Sequence, residues 1–539
     1  MDAFREMRTM MKDFLWWRDG VIYQIYPRSF KDNNGDGIGD LPGITSELDY
    51  LQDLGVDAIW LSPINPSPDK DFGYDISDYE NIDPKFGTLQ DFDNLVAEAH
   101  QRNIRIVMDG VFNHTSSEHP WFKQSRSGRD NPYRDWYIWR PPKPNGKKPN
   151  NWQSVFGGDG WEFDPASGEY YFHMFVKEQP DLNWRNPAVP RAILEVLRFW
   201  LDRGVDGFRL DVFNGYYKHP DLLDNPTKFG IRGFDRQYHV NDSSQPEMMP
   251  FLADLRKLLD AYPERYAVGE SFLRTSEQAA AYMSETALHA AFDFEFLEQP
   301  FRAPKLLKAI QNWERALGEA KHPNYVLNNH DNPRTATRYH FAEDDVQAKL
   351  AIMLLCTLRG TPYLYYGEEI GMRDIHLSRS EILDPPGKKF YPFYKGRDGC
   401  RSPMQWDASP YAGFSSAKPW LPVHPDYLTR NVKSQGADPN SLFNFYKKML
   451  AFRKETPVFA RGTWQHHPLP DRNSIAYSRA YQQQEYLVVL NFASGAAAAT
   501  LPAEGNYSVS LSTHETAPPC SQAQISLRPY EGVILKREP

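Results

Sequence analysis

Short apolar runs alternate with helix-period stretches along most of this chain, and that alternation narrows the possible folds more than any other feature. The runs begin at Val21 ("VIYQIYP"), Ala58 ("AIWLSP"), Arg105 ("RIVMDG"), Gly207 ("GFRLDV"), Tyr266 ("YAVGES"), Ala290 ("AAFDFEF"), Asn324 ("NYVLNNHD") and Thr361 ("TPYLYYGEE"). Between them lie segments such as "LQDFDNLVAEAHQRN" and "AVPRAILEVLRFWLDRG", with apolar residues three and four apart and Asn or Gly where a helix should stop. Eight strands separated by helices favour an α/β fold of the (β/α)8 TIM-barrel type over an open doubly wound sheet.

Two interruptions divide the pattern, as expected for 539 residues, too many for one hydrophobic core. Roughly 95 residues separate the third run from the fourth; they are rich in Pro, Gly, Trp and Asn and lack long helical periodicity. A small inserted domain over 112–185 is predicted there. Beyond 456 the text turns to short strands and turns, as in "SIAYSRAYQQQEYLVVLNFA", which predicts a C-terminal antiparallel β-sandwich over 457–539. The barrel then occupies 1–111 and 186–456.

Net charge is −9, which argues against nucleic acid as a partner. The N-terminal "MDAFREMRTMMKDFLWWRDG" intersperses charges with every apolar pair, unlike a signal peptide. "LAIMLLCTL", the longest apolar run, is too short to cross a bilayer. Cys356, Cys400 and Cys520 are few and far apart, which predicts neither a disulfide framework nor a metal cluster. These features point to a cytoplasmic protein with no membrane partner. Aromatics make up 14%, which suits sugar stacking and large cores equally.

Chemistry in such a barrel gathers at the C-terminal ends of the strands. Here those ends carry Asp109, Asp211, Glu270 and Asp331. A single Asp there would be an ordinary helix cap, but four acids on one rim are costly unless used. Arg209 shares a face with Asp211 and favours its ionised form, suiting it to be a nucleophile. Glu270 follows the apolar "YAVG", a setting that suits a general acid. Attack at an anomeric carbon and protonation of the leaving oxygen together cleave an acetal, with Asp331 placed to stabilise developing positive charge. No ATP-type phosphate loop, serine elbow or zinc pattern competes.

At these residues the sequence resembles the α-amylase clan of glycoside hydrolases (glycoside hydrolase family 13), in its α-glucosidase and oligo-1,6-glucosidase branch. "DGVFNHTS", "GFRLDV", "VGES" and "NNHD" resemble its strand-end motifs in order, with "QPDLNW", "GTPYLYYGEEIGM", "GYDISDY" and "RSPMQWD" as further blocks. The resemblance implies a catalytic set of Asp211 as nucleophile, Glu270 as acid/base and Asp331 as the third carboxylate. It implies that Arg209, His114 and His330 surround the nucleophile and terminal glucose, and that Asp75 and Arg401 hold the non-reducing end. Tyr74, Phe156, Phe175 and Gln179 resemble pocket-wall positions, while Asp109 and Asn113 resemble orienting ones. Strict strand alternation would turn His330 away from Asp331, so it reaches the pocket only if the strand ends before it.

The implied activity is retaining, exo-acting release of α-glucose from short α-glucosides, with the two carboxyls about 5–5.5 Å apart. The implied substrate is a small oligosaccharide or disaccharide, and the implied assembly a monomer or homodimer. Val212 after the nucleophile resembles α-1,6-acting relatives, although "FNGYYKH" departs from their usual wording. Transglycosylating or isomerising relatives, of the sucrose isomerase or trehalose synthase type, share these motifs. Heavy chains of amino-acid transporters use the same fold without catalysis, but are membrane-anchored and lack the complete acid set.

"DNNGDGIGD" offers Asp32, Asn34, Asp36, the Ile38 carbonyl and Asp40 at alternate positions, a hard-oxygen set suited to Ca2+ or Mg2+. Gly43 stands where an EF-hand needs a bidentate Glu, so calcium sensing is not expected. Similar loops in the resembling branch bind a structural Ca2+; a plain Asx-rich turn is the alternative.

Overall fold

A computed structural model describes residues 14–271, 275–500, 506–516, 518 and 524–538. Strands β1 (Ile22–Ile25), β2 (Ala58–Leu61) and β3 (Arg105–Gly110) are followed by an excursion carrying β4 (Trp139–Arg140), β5 (Trp161–Asp164) and β6 (Glu169–Phe172). The main sheet resumes with β7 (Gly207–Leu210), β8 (Tyr266–Gly269), β9 (Ala290–Ala291), β10 (Asn324–Val326) and β11 (Thr361–Tyr365). Its eight strands run in the order β10-β11-β1-β2-β3-β7-β8-β9, all parallel, with the seam between β9 and β10 left unladdered among the described residues. Almost every strand residue is buried, as a parallel sheet covered on both faces requires.

The two quoted amphipathic segments are helices Leu89–Gln101 and Ala188–Asp202. Thr88 and Asp91 form a capping box at the start of the first, which buries Phe92, Leu95, Val96 and Ala99. Asn103 and Gly204 both take left-handed φ just beyond these helices. Leu350–Leu358 falls largely within helix Val346–Thr357, buried on nearly every side between the barrel and the C-terminal sheet. No helix among the described residues is long and apolar enough to cross a membrane.

Two expected strands are shorter than their apolar runs. "AAFDFEF" contributes only Ala290–Ala291 to the sheet, because the Asp293 side chain accepts from the Glu295 amide and caps a helical turn. "NYVLNNHD" ends as a strand at Val326, which frees His330 and Asp331 from strand alternation.

Strands β4–β6 form an antiparallel sheet in the order β4-β6-β5, and a separate cluster unites Ile138, Trp152, Trp161, Phe172, Met174 and Phe175 with Val212. The last segment carries β12 (Thr463–His467), β13 (Ser474–Tyr481), β14 (Gln484–Asn491), β15 (Ala497–Thr500), β16 (Asn506–Ser512), β17 (Gln524–Leu527) and β18 (Gly532–Glu538). Five of these strands form one antiparallel sheet, and the β15–β17 pair packs on it around Leu487, Val489, Ile525 and Val533.

Candidate active site

Parallel register delivers the key groups to one place. Asp109 pairs with Arg209 across β3 and β7, and Leu210 pairs with Gly269 across β7 and β8, so Asp211 and Glu270 leave adjacent strands side by side. The Asp211 amide donates to the Gly110 carbonyl and the Glu270 amide to the Leu210 carbonyl, which extends the ladder to both acids. A Cβ at Gly269 would lie 2.4 Å from the Phe213 ring, so only glycine lets the chain reach Glu270 here. Val212 adopts φ 36°, a left-handed turn that costs a β-branched residue about 1–3 kcal/mol. That turn follows Asp211 directly, and both residues line the cavity.

Buried Arg209 is the hub. One guanidinium nitrogen lies 2.6 Å from Asp109 and 2.8 Å from Asp211, and the other bonds Glu270. Asp211 and Glu270 thus meet on one guanidinium, as the close-set carboxyls of a double displacement would. The guanidinium favours the ionised form of Asp211, as the sequence suggests, but three carboxyls share it. Burial, the largest influence, pushes Asp211 well above the usual carboxylate range; Arg209 opposes this, while Glu270 and Asp109 add to it. Burial likewise raises Asp109 to about 6.

Asp331 has the opposite setting. Burial alone would raise its carboxyl, but the guanidiniums of Arg401, at 2.9 Å, and Arg397, at 3.2 Å, hold it below the usual range. His330 lies 3.4 Å away, but burial keeps it neutral, so the arginines dominate. Gln24 donates to His330 Nδ1 (2.8 Å), and Nε2 lies 2.5 Å from the Tyr74 hydroxyl, which donates to Asp109. Tyr74 and His330 stack with centroids 5.2 Å apart.

These groups surround a cavity of about 270 Å³ walled by Tyr74, His114, Val155, Phe156, Phe175 and Val212. His114, kept neutral by burial at about 4, meets the Tyr74 carbonyl at 2.9 Å.

Three expected pocket residues stand elsewhere. Asp75 is fully buried behind the wall, where its carboxylate accepts from Ser67 and from the Lys70 and Asp71 amides. Asp71 takes its place in the lining. Arg401 is buried too, donating to the His330 carbonyl and Asp331; the lining guanidinium is Arg397, 2.6 Å from Asp71 and 2.7 Å from Asp384. Gln179 is buried and donates to the Tyr74 carbonyl and Asp71, so it braces the wall from outside. Each displaced charge lies four residues from the lining one, Asp71 from Asp75 and Arg397 from Arg401. Sequence offers both candidates in each motif; burial separates them. Arg232, Pro386 and Tyr394 also line the mouth and carry no sequence signal.

The Asp32–Asp40 loop lies apart from this site. Asp32 accepts from the Gly35 and Gly37 amides and from Ser415, and Asp40 from the Asn33, Asn34 and Gly43 amides. Asn34 and Asp36 accept from the Asp36 and Ile38 amides, so each side chain closes an Asx turn. Among the described residues no three His, Cys, Asp or Glu side chains are grouped to hold a metal ion.

The α-amylase catalytic-domain family matches residues 24–462, which spans the barrel, the excursion and every site residue above. The chain belongs to the α-amylase family. A maltogenic-amylase C-terminal domain matches residues 466–534 of this α-amylase-family protein. It is 44% identical to a probable α-glucosidase of Rhizobium meliloti (strain 1021), over 90% of this chain and 91% of that protein. It is 41% identical to an oligo-1,6-glucosidase of Parageobacillus thermoglucosidasius, over 97% and 99%. The crystal structure of the α-glucosyl transfer enzyme XgtA superposes with a TM-score of 0.93 at 40% identity, covering 98% of this chain and all of that one.

Proposed function

We propose that this glycoside hydrolase is a retaining, exo-acting α-glucosidase of short α-glucosides. The observation that carries the reading is the shared contact of Asp211 and Glu270 on the Arg209 guanidinium at the foot of a cavity closed by Asp71 and Arg397. Terminal glucose enters this cavity with its hydroxyls facing Asp71, Arg397, His114 and Asp331. Glu270 gives its proton to the glycosidic oxygen as an Asp211 oxygen attacks C1, breaking the α-glycosidic bond and forming a β-glucosyl ester. Glu270, now a carboxylate, takes a proton from water; the water oxygen attacks C1 and displaces Asp211, and α-glucose leaves.

Glucose release from maltose, isomaltose, panose, trehalose and sucrose, with starch as control, tests the reading. Release from the small substrates but not from starch supports it, and release from none defeats it. The maltose-to-isomaltose ratio addresses linkage, for which Val212 and the relative named oligo-1,6-glucosidase support α-1,6 cleavage. Glucosyl transfer to a second sugar is the second reading, favoured by the likeness to XgtA; oligosaccharides longer than the substrate would reveal it.

Asp71→Ala or Arg397→Ala should lower kcat/KM by on the order of 10²-fold or more, since each removes a charged hydrogen-bond partner of the bound glucose. Asp75→Ala should act mainly on Tm. A larger kcat/KM loss for Asp75→Ala than for Asp71→Ala would restore Asp75 to the substrate contacts.

Ca2+ in the Asp32–Asp40 loop is proposed as a purely structural clip, supported by its oxygen-rich donor set. The same side-chain oxygens accept from backbone amides in Asx turns, the alternative reading, and no step depends on the ion. Thermal melts decide: added Ca2+ raises Tm if the clip exists, and EDTA and Ca2+ leave Tm unchanged if it does not. The described cysteines Cys356 and Cys400 are free and buried, which supports a reducing, cytoplasmic location that cell fractionation would check; Cys520 lies outside the described residues. A monomer or homodimer is proposed, to be decided by sedimentation.

A further inference from the structure

Two segments rising beside the cavity mouth carry an uncommon load of bare apolar surface. The first follows β7 and makes an excursion closed by the Thr227–Gln237 bridge and the Lys228 amide on the Arg236 carbonyl. Phe229 and Ile231 lie at its tip, 99% and 87% exposed. The second follows helix Pro385–Phe390, where the Phe393 and Tyr394 amides both donate to the Phe390 carbonyl. Phe393 is 97% exposed. Four of the eleven exposed large apolar side chains among the described residues, Phe229, Ile231, Phe393 and Tyr394, fall in these two segments.

The chain neighbours of these residues tie the patch to the site. Arg232, next to Ile231, and Tyr394, next to Phe393, both line the cavity and lie close enough to interact electrostatically. A lone exposed apolar side chain needs no explanation, but three nearly bare ones on two backbone-anchored segments, each with a neighbour lining the same cavity, mark one mouth. An alkyl or aryl group attached to the glucose would leave the cavity between Arg232 and Tyr394 and meet Phe229, Ile231 and Phe393.

We propose that these three residues form a platform for the apolar aglycone, so that the protein favours alkyl and aryl α-glucosides. The proposal rests on the α-glucosidase reading above. Its test compares kcat/KM for α-glucosyl fluoride and for methyl, butyl and octyl α-glucosides, the last below its micelle concentration. The alkyl leaving groups have nearly equal basicity, so differences among them report binding. In the parent protein kcat/KM should rise roughly tenfold or more from methyl to octyl. In the triple variant Phe229→Ser, Ile231→Ser, Phe393→Ser that rise should flatten, with fluoride and methyl glucoside unchanged within about twofold and Tm unchanged, because no core contact is lost.

No rise in the parent, or a rise that survives in the variant, overturns the platform. A parent dimer that becomes monomeric in the variant also overturns it, because the patch then joins two copies. Fluoride left intact by the parent defeats the α-glucosidase reading instead, since that leaving group is too small to reach the rim.

Discussion

Asp211→Asn should lower kcat by on the order of 10⁴-fold or more on any α-glucoside while the fold stays intact. The amide cannot form the glucosyl ester, so the two-step route closes. Little structure depends on the carboxylate. The Asp211 amide, not its side chain, continues the ladder to Gly110, and Arg209 keeps Asp109 and Glu270 as partners. Removing one of three acids around a single guanidinium also relieves repulsion, so Tm should hold or rise. Activity within tenfold of the parent would show that another group is the nucleophile. A large drop in Tm would show that the cluster serves the fold.

Glu270→Gln should produce the second largest loss, and its size should depend on the leaving group. A sugar leaving group needs the proton, so maltose or isomaltose hydrolysis should fall by roughly 10²–10⁴-fold. A dinitrophenyl α-glucoside needs no acid in the first step and should still release its phenol at a comparable rate in the first turnover, before the water step that Glu270 assists as base. Equal losses on both substrates would remove Glu270 from the acid role.

The same variant carries a pH signature. Asp211 must be ionised to attack, and burial holds it well above the ordinary 3.8. Activity should therefore rise with pH through an acid limb above the usual carboxylate range. The Glu270 charge is one cause of that elevation, so Glu270→Gln should move the limb to lower pH. Stability runs the other way for Asp109. Its folded carboxyl is raised to about 6, so the stability it contributes is present below 3.8 and lost as pH rises through about 6. The site is therefore ready for catalysis in the range where burying its acids costs the fold most.

The fold was legible where periodicity was strong. All eight expected barrel runs supply strands, and both quoted amphipathic segments are helices with the expected ends. Asp211 and Glu270 could be anticipated because strand ends in a barrel converge, and parallel register then brings them onto one guanidinium. Asp75 and Arg401 were misplaced for a physical reason. Their motifs each hold a second charge four residues away, and only three-dimensional burial shows that Asp71 and Arg397 face the cavity while Asp75 and Arg401 brace it. Arg232, Tyr394 and the bare rim beyond them come from irregular segments whose path no periodicity fixes. The Asp32–Asp40 loop shows the same limit, since alternate oxygens suit a cation and a set of Asx turns equally well.

The central claim is that two carboxyls sharing one guanidinium cleave the α-glucosidic bond by double displacement. Proton NMR of the anomeric signals during the first turnovers on an α-glucoside, before mutarotation mixes them, tests it directly. The geometry at Arg209 predicts that α-glucose appears first. Initial release of β-glucose would contradict it, because inversion requires a water between the carboxyls, and here both bind one guanidinium.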